Sequence, residues 1–325
     1  MTETTLAALA ARQLPQLGGQ LFLTDGGIET TLLYHDGIDL ACFAAIDMFR
    51  KPGGRAHLER YFEGYLAIAR EAGTGFVLES ATWRAGRDWA GPLEMTVAEL
   101  AGYNREAIAM LHDLRDRHQT PEMPIVVSGC LGPRGDGYDP GELMSASEAQ
   151  AYHAWQIGIF ADAGADMIAG ITFTNAPEAV GLVRAAQEAE LPSTISFTVE
   201  TDGRLPTGQP LDAAIAEVDA ASEGGPAYYM INCAHPTHFA STLLSGGRWI
   251  ERIRGLRANA SKLSHAELDG RDELDVGLPD GFGDEHGDLL AALPQLAVLG
   301  GCCGTDLRHI ASLARAAVAR RANES

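Results

Sequence analysis

The sequence predicts a single (β/α)8 TIM barrel spanning residues 1–325. Eight short apolar runs alternate with segments of helical periodicity, the pattern of repeated βα units on a parallel sheet. No linker or composition break divides the chain. The turn after the first run, Asp25-Gly26-Gly27-Ile28-Glu29, lacks the GxGxxG that an open dinucleotide-binding sheet would place there. Eight units in roughly 300 residues therefore suit closure into a barrel.

Residues 1–20, rich in Ala, Leu and Gln, read as a short helix or an arm closing the bottom of the barrel. Leu21-Phe22-Leu23-Thr24 is the first strand, ending in Asp25-Gly26-Gly27. Leu58, Phe62, Tyr65, Leu66 and Ala69 recur at helical spacing over 55–72, with Gly73 as C-cap. Phe76–Ser80 is the second strand. Thr96-Val97-Ala98-Glu99 is a capping box opening a helix to about 118. Ile125–Cys130 is the third strand, and Ser147-Glu148-Ala149-Gln150 reads as a second capping box for a helix ending near Gly164. The remaining strands are expected at Met167–Thr172, Thr194–Val199, Tyr228–Cys233, Ile253–Asn259 and 295–300. Helices are expected at 177–190, at 210–222, from about 236, and at 306–321.

Residues 265–288 depart from this rhythm. They hold nine acidic residues without calcium-loop spacing, and read as a solvated insert after the seventh strand, or alternatively as a lid or subunit contact.

Hydrophobic residues make up 46% of the chain and charged residues 21%, ordinary for a soluble enzyme. A net charge of −20 argues against nucleic acid and against an anionic membrane surface as partners. No apolar run is long enough to span a bilayer, and Met1-Thr2-Glu3-Thr4-Thr5 does not read as a signal peptide. The five cysteines are too few and scattered for a disulfide framework, so a reducing cytoplasm is the expected location. A homo-oligomer is compatible with the sequence.

In a barrel the functional groups collect where strands end. Those ends carry Asp25, Glu79, Asn232-Cys233, Asn259 and Gly301-Cys302-Cys303-Gly304. Adjacent cysteines seldom bridge each other, so Cys302 and Cys303 suggest a metal needing two soft ligands, and Cys233 on the same rim supplies a third. Three thiolates suit Zn2+ and leave a fourth position open, which marks a catalytic site. Cys42 and Cys130 read as ordinary buried cysteines. His235 and His238 follow Cys233 and are alternative ligands, or residues supporting the ligands from the next loop and helix.

Asp25-Gly26-Gly27, Asn232-Cys233, Asn259 and Gly300-Gly301-Cys302-Cys303-Gly304, in this order over nearly the whole chain, resemble the homocysteine S-methyltransferase family. The resemblance implies a barrel holding zinc through Cys233, Cys302 and Cys303, with Asp25 and Gly26 at the amino-acid end of homocysteine. Gly27, Glu79, Asn232 and Asn259 are added as candidate substrate-binding residues, Asp25 for the ammonium and the Gly26 and Gly27 amides for the carboxylate. The implied reaction moves a methyl group from a small cationic donor to the thiol, giving methionine; no residue beyond the zinc site is assigned as catalytic.

One position departs from the family. Its usual Glu-Thr pair at the end of the fourth strand is here Ile171-Thr172, so the amine-binding carboxylate must come from Glu79 or Glu29, or the acceptor is a different thiol. Trp83, Trp89 and Tyr138 could face a sulfonium or quaternary ammonium donor, or simply pack their loops. A reading outside catalysis is a zinc- or redox-sensing barrel using Cys302 and Cys303 as a reactive pair.

Overall fold

The computed structural model describes residues 14–322 apart from 270 and 272. In chain order the elements are β1 (Phe22–Leu23), α1 (Gly54–Ala72), β2 (Gly75–Glu79), α2 (Val97–His118), β3 (Ile125–Leu131), α3 (Ala146–Asp162), β4 (Met167–Phe173) and α4 (Ala176–Glu188). There follow β5 (Ser193–Phe197), α5 (Leu211–Ala221), β6 (Tyr228–Asn232), α6 (Pro236–Leu244), β7 (Ile253–Ala258), α7 (His265–Asp269), α8 (Pro279–Ala292), β8 (Val298–Gly301) and α9 (Leu307–Ala322). The strands form a closed barrel in sequence order, sealed by parallel pairing of Phe22 with Val298 and Leu23 with Leu299.

Alternation along each strand divides the core in two. Phe22, Val77, Val126, Met167, Ala169, Met230 and Val298 fill the barrel interior. Their neighbours Leu23, Phe76, Val127, Ile168, Ile195, Leu256 and Leu299 face the ring of helices. Leu14 joins the inner cluster, and buried Gln16 extends its amide to Met167 Sδ at 3.2 Å, so the chain does close the barrel floor. Residues 1–13 of the expected N-terminal arm lie outside the described residues.

Helix termini follow the sequence with one correction. Thr96 and Glu99 form the expected reciprocal box, and Gly73 ends α1 in the left-handed region at φ 67°. The second box, however, is Ser145 with Glu148, not the one read at Ser147. Both spacings satisfy the motif. Glu148 returns to Ser145 at both its amide (2.9 Å) and its hydroxyl (2.7 Å), placing a carboxylate at the helix N-terminus.

The acidic segment also differs from a solvated insert. Its second half forms α8, whose Phe282, His286, Leu289 and Leu290 are buried, and Gly283 lets α8 approach α9 closely. A Cβ at Gly283 would sit 2.8 Å from the Ser312 carbonyl carbon. The first half instead lines the barrel mouth through Leu268, Arg271, Leu274 and Asp275. Among the described residues no helix is long and apolar enough to cross a membrane.

Candidate metal centre

β6 and β8 deliver the three cysteines to one point. The sulfur atoms of Cys233, Cys302 and Cys303 all lie within 4.8 Å of one another. Cys233 and Cys302 stand closest, with Cα atoms 5.4 Å apart and their sulfurs in contact, and Cys303 lies beside them. The donor set is three soft sulfurs with no carboxylate or imidazole among them, which fits zinc. Burial holds the Cys303 thiol above its ordinary pKa, against a hydrogen bond from Tyr138 that lowers it.

The backbone around these sulfurs is unusual and heavily braced. Cys233 has φ 53° and Thr172, across from it at the end of β4, has φ 66°, a region non-glycine residues seldom adopt. Thr172 Oγ1 lies 3.7 Å from Cys233 Sγ. The Asn232 side chain ties the two together. Its Oδ1 accepts from the Thr172 amide at 2.9 Å, and its Nδ2 donates to Thr172 Oγ1 at 2.7 Å and points at Cys302 Sγ, 3.8 Å away. The Cys233 carbonyl accepts from Asn259 Nδ2 at 3.0 Å and bonds His265 Nε2 at 2.6 Å. Asn232 and Asn259, expected to bind substrate, hydrogen-bond around the cysteines and lie outside the lining of the cavity described next. The glycines beside the thiols are required sterically, since a Cβ at Gly301 would come within 2.7 Å of Thr305 Cβ.

Next to the sulfurs lies a cavity of about 910 Å³, open at the C-terminal rim of the barrel. Asp25, Gly26, Gly27, Glu79 and all three cysteines line it, together with Glu29, Ile171, Tyr138 and Arg257. The Gly27 amide, expected to meet a substrate carboxylate, is instead spent on the Thr305 carbonyl at 3.1 Å, because the β1 turn must lock onto the start of α9. Gly27 is still needed there, since a Cβ would sit 2.5 Å from the Cys302 carbonyl oxygen.

Arg257 is the residue that sequence reasoning missed. It projects inward from β7, buried, and its guanidinium bridges two carboxylates: Nη2 donates to Asp25 Oδ1 at 2.7 Å and Nη1 pairs with Glu79 Oε2. Nε donates to the Gly301 carbonyl at 3.1 Å, and Asp25 Oδ2 accepts from Tyr61 at 3.0 Å. Burial nonetheless keeps the Asp25 carboxyl above the usual range, with Arg257 pulling it back. Glu29, half-buried in the cavity wall, is pushed up to about 7 by burial and, less strongly, by the Asp25 charge. A signal for Arg257 existed: two rim carboxylates buried in one barrel mouth demand a cation, and the inward positions of β7 are the place to look.

Of the three aromatic residues, Trp83 and Tyr138 line the cavity, whereas Trp89 packs against the cluster that includes Ala44 and Leu93. Trp83 and Trp89 each lie 4.9 Å from the Arg84 guanidinium, so the protein's own cation occupies their faces, and Trp83 Nε1 donates to the Ile171 carbonyl at 3.0 Å. Tyr138 reaches the centre: its hydroxyl is 3.5 Å from Cys303 Sγ, and its ring stacks on His265 at 4.1 Å, joining the β3 loop to α7 over the thiols. His235 and His238 are absent from the sulfur cluster. His235 caps α6 and pairs with Glu285 at 3.1 Å, while His238 Nε2 bonds the Lys262 carbonyl at 2.9 Å.

Comparison with known proteins gives a consistent result. The model of the family described as homocysteine S-methyltransferase matches residues 22–317. Homocysteine S-methyltransferase 4 of Zea mays is 26% identical, covering 95% of this chain and 93% of its own. Homocysteine S-methyltransferase 1 of Arabidopsis thaliana is 22% identical, covering 95% and 97%. Among solved structures, the metallated form of the homocysteine methyltransferase MmuM from Escherichia coli superimposes with a TM-score of 0.71 at 19% identity, over 91% of this chain and 96% of that one. The oxidized form of MmuM gives 0.70 at 22% identity, over 94% and 98%, a likeness of fold. From the family match over nearly its whole length, the chain belongs to the homocysteine S-methyltransferase family.

Proposed function

We propose that this protein is a zinc-dependent thiol S-methyltransferase that moves a methyl group from a small cationic donor to homocysteine, giving methionine. The observation that carries the reading is the convergence of three cysteine sulfurs on the wall of one large cavity at the barrel rim. Cys233, Cys302 and Cys303 would hold the ion. A zinc ion bound there supplies Lewis acidity that keeps an acceptor thiol, ordinarily of pKa about 8.5, as a thiolate at neutral pH.

The chain's own groups do the rest. Asp25 and Glu79 face the acceptor's ammonium, and Tyr138 stacked on His265 covers the thiols from above. The cavity wall carries eight carboxylates (Asp25, Glu29, Glu79, Asp136, Asp139, Glu200, Glu273, Asp275) against three arginines (Arg84, Arg257, Arg271), a field that favours a cationic donor over a neutral or anionic one. A sulfur lone pair attacks the methyl carbon in line. The new S–C bond forms as the old bond to the onium atom breaks, and its electron pair leaves with the donor, now one charge less positive. Thiol ligands must stay reduced to bind metal, which supports a cytoplasmic location.

The test is methionine formation from homocysteine with S-methylmethionine or glycine betaine as donor, on zinc-loaded and on chelator-stripped protein. The reading expects product only from the zinc-loaded protein. Full activity in the stripped protein, or no product from either donor, counts against it.

A further inference from the structure

The floor of the cavity carries a feature that membership of the family does not supply. At the end of β4, where the family's usual glutamate would stand, Ile171 lines the cavity with an apolar side chain. Across the barrel, Glu79 at the end of β2 lines the same cavity and uses only Oε2 on Arg257; among the described residues no donor is bonded to Oε1. Arg257 joins Glu79 to Asp25 although 178 and 232 positions of sequence separate it from them. All three side chains are less than a tenth exposed.

Resting on the thiol methyltransferase reading above, we propose that Arg257 is a specificity-determining residue. It binds Asp25 and Glu79 into one buried unit that reads the acceptor's ammonium from β1 and β2 instead of from β4. The charge arithmetic supports this. Two carboxylates and one guanidinium carry a net charge of −1, which one ammonium neutralises. Without Arg257 the two carboxylates would be buried with no counter-ion, and one of them would take up a proton rather than stay charged. The planar guanidinium fork can span both acids and still reach the Gly301 carbonyl, a geometry a lysine ammonium cannot reproduce. The apolar Ile171 then faces the aliphatic part of the acceptor.

The test compares homocysteine with 4-mercaptobutyrate, the same chain without the amine, by calorimetric titration of the zinc-loaded protein. Wild type is expected to bind homocysteine roughly 10- to 100-fold more tightly, the range for a charge-assisted hydrogen bond. Glu79→Gln is expected to erase most of that preference while zinc content is retained. Arg257→Lys should weaken homocysteine more than 4-mercaptobutyrate. Because Glu79→Gln leaves Arg257 with one partner fewer, the double variant Ile171→Glu with Glu79→Gln provides a rescue: a carboxylate returned to β4 should restore the preference. Glu29→Gln tests the rival carboxylate on the cavity wall, and the proposal expects it to reduce the preference less than Glu79→Gln does.

The proposal is overturned if wild type binds the two thiols equally, if Glu79→Gln weakens both alike, or if Glu29→Gln is the variant that erases the preference. Methyl transfer measured in parallel separates this from the wider reading. Intact thiol preference with no transfer from any donor counts against the methyltransferase assignment and leaves the role of Arg257 standing.

Discussion

Replacing Asn232 by alanine tests whether the metal centre is shaped by the groups behind it. The Asn232 side chain satisfies the buried Thr172 amide at 2.9 Å and the Thr172 hydroxyl at 2.7 Å, and it directs a donor at Cys302 Sγ. An amide left unsatisfied in the barrel interior costs about 1–3 kcal/mol, and the lost hydroxyl bond about 1 more. A total of about 3 kcal/mol in a chain of this size lowers the unfolding midpoint by about 5 °C. Thr172 and Cys233 both sit at positive φ and contact each other, so losing their shared brace also loosens a ligand. Outer partners of metal ligands are worth roughly 10- to 100-fold in metal affinity. Thermal unfolding of the metal-free protein and zinc competition against a chelator of known affinity measure the two effects separately. Unchanged zinc affinity in Asn232→Ala would refute the reasoning, whatever happens to the midpoint.

Other perturbations follow from the same geometry. Gly26→Ala places a methyl 2.7 Å from the Thr305 carbonyl oxygen and 2.8 Å from the Tyr65 hydroxyl; it should destabilise by at least about 2 kcal/mol in urea titration, and an unchanged midpoint contradicts the packing of β1 against α9. His286 is fully buried, with Nδ1 2.7 Å from the Phe282 carbonyl, and burial pushes its pKa down to about 4. Because the folded value lies below the unfolded one, the unfolded chain takes up the proton first. Stability is then full above about pH 6.5 and falls as pH drops toward 4, by on the order of 3 kcal/mol. His286→Leu should flatten that part of the stability–pH curve, and an unaltered slope is inconsistent with a neutral buried imidazole.

The parts of the molecule that were legible in the sequence are those whose chemistry is local. The βα rhythm shows because strands buried on both faces read as unbroken apolar runs, and the Cys302-Cys303 pair shows because two thiols between glycines at a strand end have few other uses. The third thiol follows from the rule that strand ends share a rim. What was hidden depends on partners distant in sequence or on packing. Arg257 sits in Ile253–Ala258, which alone reads as a weak amphipathic strand; its meaning lies in Asp25 and Glu79. Helix α8 was concealed by Gly281, Gly283 and Gly287, poor helix formers, one of which is there because Ser312 of α9 leaves no room for a Cβ. Asn232 and Asn259 stand where the pattern places them, but only the structure shows that their side chains hydrogen-bond around the cysteines.

The central claim is that the three thiols hold the metal on which methyl transfer depends. The most direct measurement takes wild type and Cys303→Ala, expressed and reduced identically, and determines zinc per chain and methionine formed from homocysteine in the same samples. The account predicts one zinc per chain and transfer in the wild type, and loss of both in the variant. A Cys303→Ala protein without zinc that methylates homocysteine at the wild-type rate would contradict it.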